Sequence, residues 1–204
     1  NGDVVGTYIP TYSCPADFNP PDIAWDNGQP ANPTANPPQA YVPPYHIYSR
    51  QNARRSNYLF ATYKDTDLTP RYPSGPVCGA FGTNGAANFG MITDGLSSTI
   101  LVGEARQIHT DLSYGPYWGS GAQSCCHGIV EDHHWHVNYP YGEKELMRQG
   151  QSGKLQTQWG FGSWHTGGAN FVFGDGSVHF ISDRMKFATF QALHTINGGE
   201  NVEW

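Results

Sequence analysis

The feature of the sequence that most constrains the fold is a pair of short apolar runs separated by an Asp-Gly dipeptide. The first run covers residues 169–173, the second covers 177–181 and alternates in polarity, and Asp175-Gly176 lies between them. This pattern favours a tight β-hairpin with a type I′ turn, because Gly176 takes the required positive φ at little cost. His165 lies ten residues before Asp175, at the entrance to the first strand. The rest of the chain is placed around this hairpin.

Glycine and proline favour long irregular connections in the rest of the chain. The 204 residues include 25 glycines and 15 prolines, and only 14% of the residues are charged. Nine prolines fall within residues 15–44, where they exclude a continuous helix or a central strand. We therefore predict a single domain over residues 1–204 with loop insertions at about 15–45 and 107–160.

Three further strands and one helix complete the predicted architecture. Residues 4–12 alternate enough in polarity to form a strand. Residues 56–63 and 99–102 are rich in the aromatic and β-branched side chains that favour strands. After the hairpin, Ser182 or Asp183 can cap a helix that runs to about residue 196, because apolar side chains recur there at three-residue spacing. The predicted fold class is α+β and β-rich, with an antiparallel sheet, long Pro/Gly-rich loops and one C-terminal helix.

The charge and hydropathy of the chain exclude two classes of interaction. Its formal net charge is −6, whereas a protein that binds nucleic acid needs a basic face for the phosphates. No apolar run approaches the roughly 20 residues of a membrane-spanning helix. The sequence therefore predicts neither a nucleic-acid partner nor a membrane span.

The four cysteines, Cys14, Cys78, Cys125 and Cys126, form an even set without Cys-x-x-Cys spacing. This pattern favours disulfides in an oxidising compartment over a metal cluster. Four cysteines allow three pairings, one of which contains a bridge between the adjacent Cys125 and Cys126. The sequence does not select among the three.

Histidines concentrate in the second insertion. His134 and His136 would lie on the same face if this segment were an extended strand, and two imidazoles on one face can bind one transition-metal ion. The alternative is an ordinary loop with exposed histidines. The sequence leaves both interpretations open.

Three carboxylates are candidate oxygen ligands for calcium. Asp94 precedes Gly95 in a second Asp-Gly turn, Glu104 follows the strand predicted at 99–102, and Asp175 lies in the hairpin turn. The alternative is that both aspartates are turn residues whose side chains bond to their own backbone.

Two other functions need side chains brought together by the fold. Four tryptophans can stack on sugar rings or fill the core: Trp118, Trp135, Trp159 and Trp164.

His165, Glu104 and Asp175 can converge as an acid/base set, with Ser163 nearby. The chain has no Gly-x-Ser-x-Gly, no His-Glu-x-x-His and no phosphate-binding loop, so we predict a protein without catalytic activity.

Four ordered segments resemble the planctomycete-type pilin-like family with the H-X9-DG C-terminal domain (DUF1559). They are IPTYSCPAD at 9–17, ITDGLSSTILVGE at 92–104, His165 followed after nine residues by Asp175-Gly176, and FQALHTINGGE at 190–200. Members begin with a type IV prepilin-like leader and a long hydrophobic helix. This sequence lacks that helix, so we expect a processed product or a soluble C-terminal portion.

The resemblance implies a structural protein of the cell surface or periplasm. It points to a pilin-like or type II secretion pseudopilin-like subunit with a β-sheet head, which associates with itself or with other envelope subunits. A carbohydrate- or metal-binding surface module is the alternative, with polysaccharide as a partner or calcium as the ion, since type II major pseudopilins bind calcium near their C-terminal loops. For His165 we expect a structural contact with Glu104 or Asp175.

Overall fold

The computed structural model describes all four segments that carry the family resemblance. The described residues are 2–17, 23–24, 53–64, 72, 77–82, 85–106, 116–118, 126–139, 159–200, 202 and 204. Most of the two predicted insertions lies outside them. Within the described residues, no helix is long and apolar enough to cross a membrane.

The architecture is a five-stranded sheet with short helices beside it, which confirms the predicted α+β, β-rich class. Its strands, in spatial order, are β7 (His127–Ile129), β3 (Tyr58–Tyr63), β6 (Ile100–Glu104), β8 (Gly168–Phe173) and β9 (Val178–Ser182). Two small antiparallel pairs accompany it, namely β1 (Ile23–Ala24) with β2 (Ala53–Arg54), and β4 (Phe81–Gly82) with β5 (Gly85–Ala86). The α-helices are α1 (Gly2–Val5) and α2 (Phe187–Ala192), and 3-10 turns occur at Pro10–Tyr12, Phe89–Met91, Leu96–Ser98 and His133–Trp135. The strand predicted at residues 4–12 is therefore wrong, because α1 and the turn at Pro10–Tyr12 occupy this segment.

The sheet is mixed, so the prediction of a purely antiparallel sheet is wrong at one edge. β3 pairs antiparallel with β6, and β6 and β9 both pair antiparallel with β8. β7 instead runs parallel to β3, with Phe60 opposite His127. A parallel pair needs a long crossover, and the chain between β3 and β7 includes β4, β5 and β6.

The hairpin of β8 and β9 is present, but its turn is longer than predicted. The amide of Gly176 donates to Phe173 O at 3.0 Å, and the amide of Phe173 donates to Ser177 O at 2.9 Å. Gly176 has φ 84°, whereas Asp175 is not among the residues with positive φ. A type I′ turn needs positive φ at both central residues, so this is a three-residue connection closed by a left-handed glycine.

One face of the sheet carries the hydrophobic core. Phe161, Phe171 and Phe190 pack around the fully buried His194, whose ring centroid lies 4.4 Å from that of Phe190. Burial lowers the pKa of His194 to about 4, so the imidazole is neutral at physiological pH. Position 103 favours glycine, because the Cβ of any other residue would overlap the rings of Phe171 and Phe161.

Helix α2 is shorter than the sequence predicted. The hydroxyl of Ser182 accepts the amide of Arg184 at 3.1 Å, and the carbonyl of Ser182 accepts the amide of Met185 at 3.1 Å. These bonds form a turn instead of a helix cap, and α2 begins only after the extended Lys186. At the other end, the hydroxyl of Thr195 donates to Ala192 O at 3.0 Å and the helix stops.

Within the described residues, the opposite face of the sheet, which we call the open face, is largely uncovered. Cross-strand partners share a face, so the register places Phe60, Val102, Val172 and Val178 in one row across four strands. The exposed fraction is 41% for Phe60 and 61% for Val178, and it is 48% for the neighbouring Phe180. The open face is therefore apolar although it faces solvent.

We expect Asp175→Asn to leave stability at neutral pH nearly unchanged. The carboxylate Oδ1 accepts the amide of Ser177 at 2.9 Å and its hydroxyl at 2.6 Å, and an amide oxygen can accept both bonds. These bonds lower the pKa of Asp175, so its contribution is present above the unfolded-state pKa and is lost as pH falls through the folded-state pKa.

Urea unfolding at several pH values checks this prediction. The Asn variant should lose less stability than the parent protein below about pH 4, where unfolded aspartate titrates. A large loss at neutral pH would contradict the assignment and would show that the turn needs the charge itself.

Candidate functional site

Three titratable side chains from distant parts of the sequence meet beside the end of β6. Cys14 follows the 3-10 turn Pro10–Tyr12, Glu104 is the last residue of β6, and His165 precedes β8. The Cys14 Sγ lies 3.6 Å from both Glu104 Oε1 and His165 Nε2, and these two atoms are 3.3 Å apart. Among the described residues, this is the one group of three His, Cys, Asp or Glu side chains with mutually adjacent ligand atoms.

Glu104 is the buried centre of this group. Its Oε2 accepts the backbone amide of Asn170 at 2.7 Å and the side-chain amide at 3.2 Å. Its carbonyl accepts the amide of Gly162 at 2.8 Å, which fixes the approach to His165. One carboxylate oxygen is thus held by β8, and the other is directed toward Cys14 and His165.

Asn57 holds the Cys14 segment against the sheet. Its Oδ1 accepts the amide of Cys14 at 2.9 Å, and its Nδ2 donates to Asp17 Oδ2 at 2.7 Å and to Ala105 O at 3.0 Å. Its backbone also donates to Tyr12 O at 2.8 Å and accepts the amide of Ala105 at 2.7 Å. A single buried side chain therefore joins the N-terminal segment to the residue after Glu104.

His165 is held by a local turn and remains accessible. Its amide donates to the hydroxyl of Ser163 at 3.0 Å, and that hydroxyl donates to Gly168 O at 2.7 Å. The neighbouring Trp164 donates from Nε1 to Asp17 Oδ1 at 3.1 Å. The side chain of His165 is 35% exposed, so solvent reaches the group from this side.

The surroundings of Cys14 disfavour its thiolate form. Burial raises the pKa of Cys14, and the charge and hydrogen bond of Glu104 raise it further. A catalytic cysteine instead needs a lowered pKa to present its thiolate at neutral pH. The group therefore offers three atoms of the kinds that bind metal ions, and its thiol is not shifted toward the thiolate.

A cavity of about 530 Å³ adjoins this group on the open face. Glu104 and Asn170 form part of its wall, and Tyr12, Tyr58 and Trp118 form another part. Most of its lining is apolar. The cavity therefore resembles a docking groove for an apolar group more than a site for a charged substrate.

Asp94 and Asp175 are not part of the group formed by Cys14, Glu104 and His165, and the side chain of Asp94 binds the distant C-terminal segment. Asp94 Oδ1 accepts the amide of Gly199 at 2.9 Å, and its Oδ2 accepts the amide of Gly198 at 2.7 Å. Asp175 contacts Ser177 as described above, and Gly95 supplies a positive φ of 98° next to Asp94. The contacts of Asp175 match the turn-residue interpretation, whereas Asp94 bonds to backbone amides 104 and 105 positions away instead of to its own turn. Calcium at this set stays a prediction.

The His134/His136 interpretation rested on a strand that does not form. Residues 133–135 are a 3-10 helix, in which alternate residues do not share a face. Nε2 of His136 lies 2.7 Å from Met185 O, and its Nδ1 lies 3.3 Å from Val137 O. Both nitrogens of His136 are thus directed at backbone carbonyls, and the side chain of His134 lies outside what the structure describes.

The cysteines do not form the predicted disulfides at Cys14 and Cys78. Both are free and buried. The Sγ of Cys14 faces Glu104 and His165, whereas Cys78 packs with Ala80 and other apolar residues in a separate cluster. Cys125 lies outside the described residues, so the bridge between Cys125 and Cys126 stays one of the pairings that the sequence leaves open.

The four tryptophans have different surroundings. Trp118 donates to Thr7 O at 3.1 Å, and the rings of Trp135 and Trp159 are 5.9 Å apart. Trp164 is exposed, and the guanidinium of Arg106 lies 5.3 Å from its ring centroid. Polysaccharide binding through these side chains stays a prediction.

Sequence reasoning missed Asn57 and Asn170 entirely and assigned Cys14 to a disulfide. One available signal was that Cys14, Glu104 and His165 each lie in a segment that carries the family resemblance. No local pattern marks Asn57, because its role depends on contacts with residues 43 and 48 positions away in the chain.

We expect Asn57→Ala to lower the free energy of unfolding by about 2–4 kcal/mol, because two buried backbone groups lose their partner. Hydrogen exchange should increase at residues 12–17. Asn88→Ala is the control, because Asn88 is exposed and makes no side-chain cap bond. Equal stability of the two variants would contradict the role assigned to Asn57.

Comparison with known proteins identifies the family. A family model described as "Protein of unknown function (DUF1559)" matches residues 1–187. The matched span contains Cys14, Glu104 and His165. No curated protein and no solved structure matches the chain. Because the family model covers most of the chain and confirms the family expected from the four segments, this protein belongs to the DUF1559 family.

Proposed function

We propose that this chain is a non-catalytic structural subunit of a pilin-like or pseudopilin-like assembly at the cell surface or in the periplasm. The observation that carries the proposal is the apolar open face of the sheet. Antiparallel strands that face water on one side normally alternate apolar with polar side chains. Here the solvent-facing row is instead formed by Phe60, Val102, Val172 and Val178.

The occupant proposed for the open face is an apolar helix of the assembly. Four strands spaced at about 4.8 Å span about 14 Å, and a helix with its side chains is about 10–12 Å wide. One helix therefore covers the row. A long hydrophobic helix is the element that the family resemblance attributes to its members, and this supports the choice of occupant.

The chemistry beside the open face supports a non-catalytic role. The Cys14 thiol has a raised pKa, and its neighbour Glu104 is already engaged by Asn170. Asp175, the third member of the acid/base set considered from the sequence, instead bonds to Ser177 in the hairpin turn. These contacts favour a structural role over acid/base catalysis.

We expect Val178→Asp to remove the protein from its assembly without unfolding it. Val178 is 61% exposed at the β9 end of the proposed contact, and a carboxylate there would be buried without a partner in the assembly. Val4→Asp is the matched control, because Val4 has the same side chain and is 62% exposed in α1.

Immunogold electron microscopy of the producing cells, with each variant replacing the native chain, measures the effect. The parent protein and Val4→Asp should label filaments or a surface layer, whereas Val178→Asp should be diffusible. The proposal fails if the parent protein is itself diffusible, or if both variants assemble equally.

A further inference from the structure

We propose that Cys14, Glu104 and His165 bind one divalent transition-metal ion of the zinc class. The three ligand atoms are the Sγ of Cys14, the Oε1 of Glu104 and the Nε2 of His165. They come from three separate segments and lie within 4.8 Å of one another. The inference does not depend on the assembly role proposed above.

The spacing of the donor atoms matches three corners of a tetrahedral zinc site. Zinc binds sulfur at about 2.3 Å, nitrogen at about 2.0–2.1 Å and oxygen at about 2.0–2.2 Å, so tetrahedral angles separate these ligand atoms by about 3.3–3.6 Å. The observed separations are 3.3 Å for nitrogen to oxygen and 3.6 Å for sulfur to each of the others. Little movement is therefore needed to admit the ion.

The separation between His165 and Glu104 is long for a direct charge-assisted bond between the two side chains. A charge-assisted N–H···O bond between imidazolium and carboxylate is about 2.7–2.9 Å, whereas His165 Nε2 is 3.3 Å from Glu104 Oε1. The two groups face each other without closing to that distance. Their arrangement is better explained by a shared central ligand than by an ion pair.

Each ligand is oriented by groups behind it, as metal ligands generally are. The second oxygen of Glu104 accepts two hydrogen bonds from Asn170. The backbone of Cys14 is bound to Asn57, and that of His165 is bound to Ser163. The site is thus held in place by the fold before any ion binds.

The donor types select the class of ion. A thiolate and an imidazole beside one carboxylate suit zinc and similar transition metals, whereas calcium and magnesium prefer sites made of oxygen ligands. Binding transfers the proton of Cys14 to solvent, because the thiolate is the ligand. The exposed side of His165 leaves the fourth coordination position to water. An ion here joins the N-terminal segment, β6 and the loop before β8.

Titration of the metal-free chain with Co²⁺ and then Zn²⁺ tests the proposal. The parent protein should bind one Co²⁺ per chain, with a thiolate-to-cobalt charge-transfer band and the intense visible absorption of tetrahedral cobalt. Zn²⁺ should displace the Co²⁺ and raise the melting temperature, and Ca²⁺ should do neither.

Two variants and one matched control locate the ion. Cys14→Ala should abolish the charge-transfer band, and His165→Ala, at a partly exposed position, should weaken Zn²⁺ binding by at least about 100-fold while the circular dichroism stays native. Cys78→Ala removes the other buried free thiol and should bind like the parent protein. The proposal is overturned if the parent protein shows no thiolate band, if His165→Ala binds unchanged, or if the band is lost in Cys78→Ala instead.

Discussion

The N-terminal half of the structure depends on the contacts made by the buried carboxylate of Glu104. A carboxylate removed from water is stable only when its oxygens have partners. Asn170 supplies them on one side, and Cys14 and His165 complete the surroundings on the other. Glu104 therefore joins the central strand β6, the hairpin strand β8 and the N-terminal segment into one unit.

The sheet has two faces with different roles. One face packs α2 and the aromatic cluster around His194, and it carries most of the hydrophobic stabilisation. The open face instead presents Val178 and Phe180 to solvent, which is unfavourable for an isolated domain. The sheet therefore has one face packed in the hydrophobic core and one face with exposed apolar side chains.

The sequence predicted the features that local interactions determine. The hairpin, the strand leading to Glu104 and the turn at Asp94-Gly95 follow from short-range patterns, and each is present. The predicted start of α2 was wrong, because Ser182 forms a turn with Arg184 instead of capping the helix.

The parts that could not be predicted depend on contacts distant in sequence. The parallel position of β7 depends on a long crossover, and the joining of Cys14 to β6 depends on the buried Asn57. Periodicity carries no information about either. Cys14, Glu104 and His165 could be seen in the sequence only as members of three separate motifs.

A crystal structure of the zinc-treated chain, with anomalous data on both sides of the zinc absorption edge, tests the central claim most directly. The account predicts a single strong anomalous peak about 2.0–2.3 Å from the Sγ of Cys14, the Nε2 of His165 and the Oε1 of Glu104. A direct His165–Glu104 hydrogen bond of about 2.8 Å with no peak between them, or a peak only at another site, would contradict it.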